Sequence, residues 1–195
     1  MNLPPTLAET VAPYRTLFVE GHEGVHRGRL FTRLAQLGFP LQRPPTGLHH
    51  LDPARPYREL LAAPGRFVID GGVIGELVYG PLRRGRSRVT WIEALDLAEA
   101  IAEREGAMLH LTGGEHGGDH RGEHCGESGD EASEAAAAAL AYARVFETLA
   151  QHVPVVNVHV TPVLLDVVTE RARRIRAPAH RQSQLRQQPR QLTVG

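Results

Sequence analysis

The sequence predicts an α/β domain, a mostly parallel sheet with helices on both faces. Three observations carry this. Short apolar runs at 16–19 (TLFV), 66–70 (RFVID), 107–112 (AMLHLT) and 153–160 (VPVVNVHV) alternate with longer helical patterns, as repeated βαβ units do. The first run ends at Glu20-Gly21, crosses a turn punctuated by Gly21, Gly24 and Gly28, and becomes a helix with Leu30, Phe31, Leu34 and Leu37 on one stripe. The 195 residues suffice for one domain with a sizeable core.

Residues 1–14 carry three prolines and little periodicity, and read as a loose lead-in to a single domain over 15–175. After the first helix, Gly38-Phe39-Pro40 is a stop, and 41–47 (LQRPPTG) is a short edge strand entering a Pro-Pro turn. Asp52-Pro53 gives an N-cap and an initial proline to a short helix with Tyr57, Leu60 and Leu61 inward, ended by Pro64-Gly65. Asp70 closes the second strand at its carboxyl end, where nucleotide-binding α/β folds hold ligands; capping the next turn is its plainer use. Residues 73–79 are helical, and 81–88 (PLRRGRSR) form a basic loop holding Arg83, Arg84, Arg86 and Arg88. Thr90 and Glu93 make a capping box for a helix to about residue 105, with Ile92, Leu95 and Ile101 inward.

His110, in the third strand, reads as a satisfied core or strand-end histidine. Residues 113–129 are Gly-rich and charged without an apolar face, which marks a lid loop. Ser128 and Glu131 then cap an Ala-rich helix to about residue 151, with Leu140, Phe146 and Leu149 buried. Beyond the fourth strand, Thr161-Pro162 opens a last helix to about residue 174. From Arg171 onward there are seven Arg and no acid, so 176–195 is expected to be a basic, disordered tail.

The charges balance, 22 basic against 22 acidic, so no overall field draws the chain to nucleic acid or a membrane. The tail offers nucleic acid weak, sequence-independent contacts only. Every basic residue is Arg, which excludes a Schiff-base lysine, a lysine base and a phosphate-loop lysine. The single cysteine, Cys125, excludes an internal disulfide and fits a reducing cytoplasm, the expected location. No apolar run reaches membrane-spanning length, and the first residues lack a signal-peptide pattern.

Strand, glycine turn and helix together aim backbone N–H groups and the positive end of a helix dipole at an anion. Gly21, His22, Glu23, Gly24, Val25, His26, Arg27, Gly28 and Arg29 are therefore the candidates for holding phosphate. Working loops of this layout read G-x-x-x-x-G-K-[ST], the lysine reaching the terminal phosphates and the hydroxyl holding Mg²⁺. Set on Gly21, that frame puts His26 at the second glycine, Arg27 at the lysine and Gly28 at the hydroxyl. Arg27 keeps the charge as a longer, planar fork, and no rotamer supplies the oxygen that Gly28 lacks.

The stretches LFVEGHEGVHRGRLFTRLAQLG, DPARPYRELLAAPGRFVID and GVIGELVYGPLRRGRSR resemble thymidylate kinases. They are closer to the small deoxynucleoside-monophosphate-kinase-like proteins of phages and bacteria. The likeness covers most of residues 15–111 and continues weakly through 142–158. It implies a three-layer P-loop NTPase-like fold that moves the terminal phosphoryl of ATP, with Mg²⁺, onto a nucleoside monophosphate. By that resemblance residues 21–28 wrap the ATP phosphates, with Arg27 in the lysine's place, and Asp70 faces Mg²⁺ or its water shell. Phe67 and Tyr79 flank the acceptor nucleoside, and Arg83, Arg84, Arg86 and Arg88 neutralise phosphates. The implied catalytic set is Arg27, Asp70, Arg83 and Arg84, with Arg86 and Arg88 on the acceptor side. Kinases of this family are often dimers, so a homodimer packed on the helix over 130–151 is also implied.

The departures from the family fall on the chemistry. Relatives usually carry Asp-Arg where this chain has Asp70-Gly71, and often Ser at Gly75. With His26, Arg27 and Gly28, these changes touch donor phosphate, metal and acceptor together, and each lost contact costs roughly 10²–10³ in rate. The expectation is a nucleotide-binding relative with weak or no phosphoryl transfer.

Other readings remain open. An active kinase for dTMP or a related monophosphate follows if Arg29 and the arginines of 81–88 replace what is lost. His116, His120 and His124, with Asp119, Glu123 and Cys125 beside them, have the spacing to hold Zn²⁺ or Ni²⁺, although the intervening glycines disfavour a helix there. A scaffold or interaction role for the tail is the third. His124 beside Cys125 does not by itself define a nucleophile and its base.

Overall fold

The computed structural model describes residues 6–23, 25, 27–44, 52–113, 128–160 and 165–168, the last four and 128–132 as backbone only. In chain order the elements are α1 (Leu7–Val11), β1 (Thr16–Gly21), α2 (Gly28–Gln36), β2 (Leu41–Gln42), α3 (Arg55–Leu61) and β3 (Phe67–Asp70). There follow α4 (Val73–Arg84), α5 (Trp91–Glu103), β4 (Gly106–Thr112), α6 (Ser128–Leu149), β5 (Val155–Val160) and β6 (Leu165–Val168).

One sheet runs in the order β2-β3-β1-β4-β5-β6. The first five strands are parallel, and β6 is antiparallel to β5. All six residues of β1 are buried, as a central strand covered on both faces requires. Phe18, Ile69 and Met108 point into one core with Ile74, Leu97, Tyr142 and Phe146 of α4, α5 and α6. Leu17, Val19, Val68 and Leu109 point into a second with Leu7 and Val11 of α1 and Leu30, Phe31 and Leu34 of α2. Sheet and two helical faces make the three layers the sequence predicts.

Several local expectations are corrected. The lead-in holds a helix, α1, because Thr6 and Glu9 form a capping box and Leu7 and Val11 reach the second core. Pro81 does not end α4: the helix runs on to Arg84 and closes at Gly85, whose φ of +71° supplies a left-handed cap donating to the Pro81 carbonyl. Gly106 opens β4 rather than closing α5, and a Cβ there would lie 2.6 Å from the Ile101 carbonyl oxygen. The Thr90–Glu93 capping box forms, but the buried stripe of α5 is Ala94, Leu97, Ala98 and Ile101. Ile92 stands 71% exposed and Leu140 56% exposed, each on the outer side of its helix. The expected last helix is replaced by β6, since the branched run LDVV finds the open edge of β5 to pair with. Of the expected lid, 128–129 belong to the start of α6, while 114–127 with His116, His120, His124 and Cys125, and the tail, lie outside the described residues.

Candidate functional site

The carboxyl ends of β1 and β3 meet the starts of α2 and α4 at one edge of the sheet. Parallel register sets this: Val19 pairs with Asp70, so Glu20 and Gly21 lie just beyond. Gly21 is required by the approach of β4, because a Cβ would lie 2.7 Å from Leu111 Cβ and 2.8 Å from the Leu111 carbonyl oxygen. Val25 is buried among the α2 core residues and anchors the loop. Gly24 and His26 lie outside the described residues.

Arg27 stands at the N-cap of α2, which receives no side-chain cap and has no acid in its first turn. Its guanidinium lies across the strand ends: Nη2–H donates to the Gly21 carbonyl at 2.6 Å and Nη1–H to Asp70 Oδ1 at 3.1 Å. Arg43, just past β2, donates to the other Asp70 oxygen at 3.4 Å. Both carboxylate oxygens of Asp70 thus accept from arginine. Gly28 opens α2 with nothing within 4 Å of a Cβ placed there, and Arg29 follows, exposed.

Glu20 is the functional candidate that sequence reasoning missed. It is fully buried, accepts from the Ile74 N–H at 2.9 Å through Oε1, and leaves Oε2 without a partner. Burial pushes its carboxyl up to about 7, against the pull of Arg27 and the α4 amides. Gly71 lies against it, where a Cβ would be 2.5 Å from Phe18 Cε1 and 2.7 Å from Glu20 Oε1. The signal in sequence was an acid inside an otherwise apolar strand.

Glu23 and Tyr79 tie the loop to α4. The Glu23 N–H donates to Tyr79 Oη at 2.8 Å. Arg83 stacks 4.3 Å over the Tyr79 ring and forks onto Glu23 at 2.9 and 2.6 Å, while also reaching Glu134 of α6. His22 is buried, with Nδ1 2.7 Å from the Glu23 carbonyl oxygen. His110 packs against Phe146 at 4.3 Å and meets Asn157 at 3.0 Å; burial lowers its basicity.

The basic cluster is largely committed to carboxylates. Arg84 and Arg88 both hold Glu76, whose burial opposes ionisation but whose bonds from Arg88 and Arg84 outweigh it and keep the carboxyl down near about 2. Arg86 is exposed on the loop after α4. Of the residues expected at an acceptor nucleoside, Tyr79 is beside the loop, but Phe67 is not. Phe67 begins β3, at the other end of the strand from Asp70, and is buried in the core with Arg104 4.9 Å over its ring. An apolar residue at a strand start points into the core, so it cannot line the carboxyl edge.

The topology decides the fold class. This is a three-layer α/β fold on a mostly parallel sheet. A similar solved structure is the YorR protein of Bacillus subtilis, determined in complex with phosphorylated GDP. The two are 16% identical, with a TM-score of 0.51 over 73% of this chain and 84% of that one. At that identity the likeness speaks for the fold alone. No protein-family model matches the chain, and no curated protein matches it. Among the described residues, no helix is long and apolar enough to cross a membrane, and no three His, Cys, Asp or Glu residues are grouped to hold a metal.

Proposed function

We propose that this chain binds a nucleotide through its phosphate at the head of α2 and transfers phosphoryl groups weakly or not at all. The observation that carries the reading is the position of Arg27. A guanidinium presents five N–H donors, and the bonds to Gly21 and Asp70 engage two of them. It faces the edge of the sheet where ligands of open α/β folds bind, beside an uncapped helix start. Binding needs only that cation and backbone amides. Transfer needs more: a hydroxyl at Gly28, a side chain at Gly71 and a free Asp70, none of which this chain offers. The Glu23 N–H is already given to Tyr79, so a phosphate reaching the front of the loop displaces that contact.

YorR holds a phosphorylated guanine nucleotide, so guanine nucleotides belong among the probes beside dTMP, ADP and ATP. The test is calorimetric titration with these ligands together with a coupled kinase assay. Binding without turnover is expected. Turnover at ordinary kinase rates would instead establish an active monophosphate kinase, and the absence of any binding would remove the nucleotide reading.

A further inference from the structure

The site does not fit Mg²⁺, and that misfit has a consequence for the ligand. Mg²⁺ demands near-octahedral oxygen ligands at about 2.0–2.1 Å and gives up water reluctantly. The oxygens that open onto this edge are already engaged; the one unpartnered oxygen beside it, Glu20 Oε2, is buried. The Gly21 carbonyl and Asp70 Oδ1 both accept from Arg27, at 2.6 and 3.1 Å, and Asp70 Oδ2 accepts from Arg43 at 3.4 Å. Position 28 brings no hydroxyl. Glu20, the other nearby acid, is sealed from solvent with one oxygen on the Ile74 N–H. Arg27 has thereby taken the place between strand ends that a divalent cation needs, bringing its own positive charge.

Building on the nucleotide reading, we infer that this site takes its phosphate without a divalent cation, Arg27 being the resident cation, and that it discriminates against metal-complexed triphosphates. A Mg²⁺ ion carried in on a triphosphate meets a fixed guanidinium instead of a free carboxylate, and like charges at short range repel. An uncomplexed phosphate meets the same guanidinium as an attractive partner able to give two parallel N–H bonds. The ligand class is therefore a nucleoside monophosphate, or another metal-free phosphate ester, ahead of Mg²⁺·nucleoside triphosphate.

The experiment has two arms on the full chain. In the first, calorimetry with GMP, dTMP and ATP is run in MgCl₂ and in EDTA. Monophosphate affinity should be unchanged by the metal, while Mg²⁺ should weaken ATP binding by about three- to tenfold. Tightening of ATP binding by Mg²⁺ would overturn the inference. The second arm needs no nucleotide: Mn²⁺ binding is followed by electron paramagnetic resonance. The wild-type chain should hold no Mn²⁺ at this edge, and Arg27→Gln, checked for folding by circular dichroism, should acquire a Mn²⁺ site that Asp70→Asn in the same background abolishes. A wild-type Mn²⁺ site lost in Asp70→Asn alone, or a folded Arg27→Gln with none, would overturn it too. If no nucleotide binds in either buffer, the nucleotide reading fails by itself, and the Mn²⁺ arm still decides whether Arg27 has displaced the metal.

Discussion

Glu20 is a carboxyl that the fold has removed from water, and its cost has a definite pH signature. Its folded value of about 7 lies above the ordinary 4.5, so the unfolded chain releases this proton first as pH rises. Stability is therefore fully present below about pH 4.5, falls between there and pH 7, and is level above, a loss on the order of 3 kcal/mol. Glu76, held down near about 2, acts in the opposite sense and only at lower pH, so the two windows do not overlap. Glu20→Gln should flatten the fall in Tm between about pH 4.5 and 7; thermal melts showing the wild-type slope in the variant would contradict this. Two glycines make a second contrast. Gly28→Ser has open space and should leave Tm unchanged or slightly raised. Gly71→Arg, which restores the Asp-Arg pair of the resembled family, drives a Cβ into Phe18 and Glu20 and should cost about 1–3 kcal/mol, or several degrees in Tm. Arg27 was legible in the sequence as a departure from a motif, and Asp70 as the acid at the carboxyl end of a strand. The need for Gly71 was not, because it arises from the approach of β1 to the head of α4, which no local pattern encodes; Glu20 showed only as an acid in an apolar strand, and its contact with the Ile74 N–H is likewise a matter of tertiary approach.

Each element of the site does two jobs. α2 supplies an apolar stripe to one core and an uncapped start to the ligand edge. α4 supplies Ile74 and Val78 to the other core, and Tyr79 and Arg83 to the loop. The contacts of α4 with the loop are exposed ion pairs around one shielded hydrogen bond, and such solvent-screened pairs contribute little to stability. Tyr79→Phe should therefore barely move Tm, yet speed hydrogen exchange at the Glu23 amide, read by NMR or mass spectrometry. Unaltered exchange would show that the tyrosine hydroxyl does not hold the loop. The strongly periodic elements, β1, α2, β3, β4 and β5, were readable because apolar pattern and burial coincide in them. Pro81 misled because a breaker signal counts for little where the helix beyond it is exposed and a glycine cap follows. Thr161-Pro162 misled in the other direction: its helix-start chemistry is read one residue at a time, whereas β6 forms by pairing with the edge of β5, Val160 opposite Leu165.

At the scale of the whole molecule, the sheet order explains why one glycine loop faces a ready-made edge. β1 lies at the centre, with β3 on one side and β4 on the other, so the chain reverses its winding beside the loop that follows β1. That order has a consequence for synthesis. Thr16 pairs with Phe67 on one flank and with Gly106 on the other, so the central strand is the first of the sheet to be made and gains its second neighbour only about 85 residues later. At elongation rates of roughly 5–20 residues per second, the wholly buried β1 waits several seconds during synthesis for its second neighbour, its apolar faces exposed in the meantime.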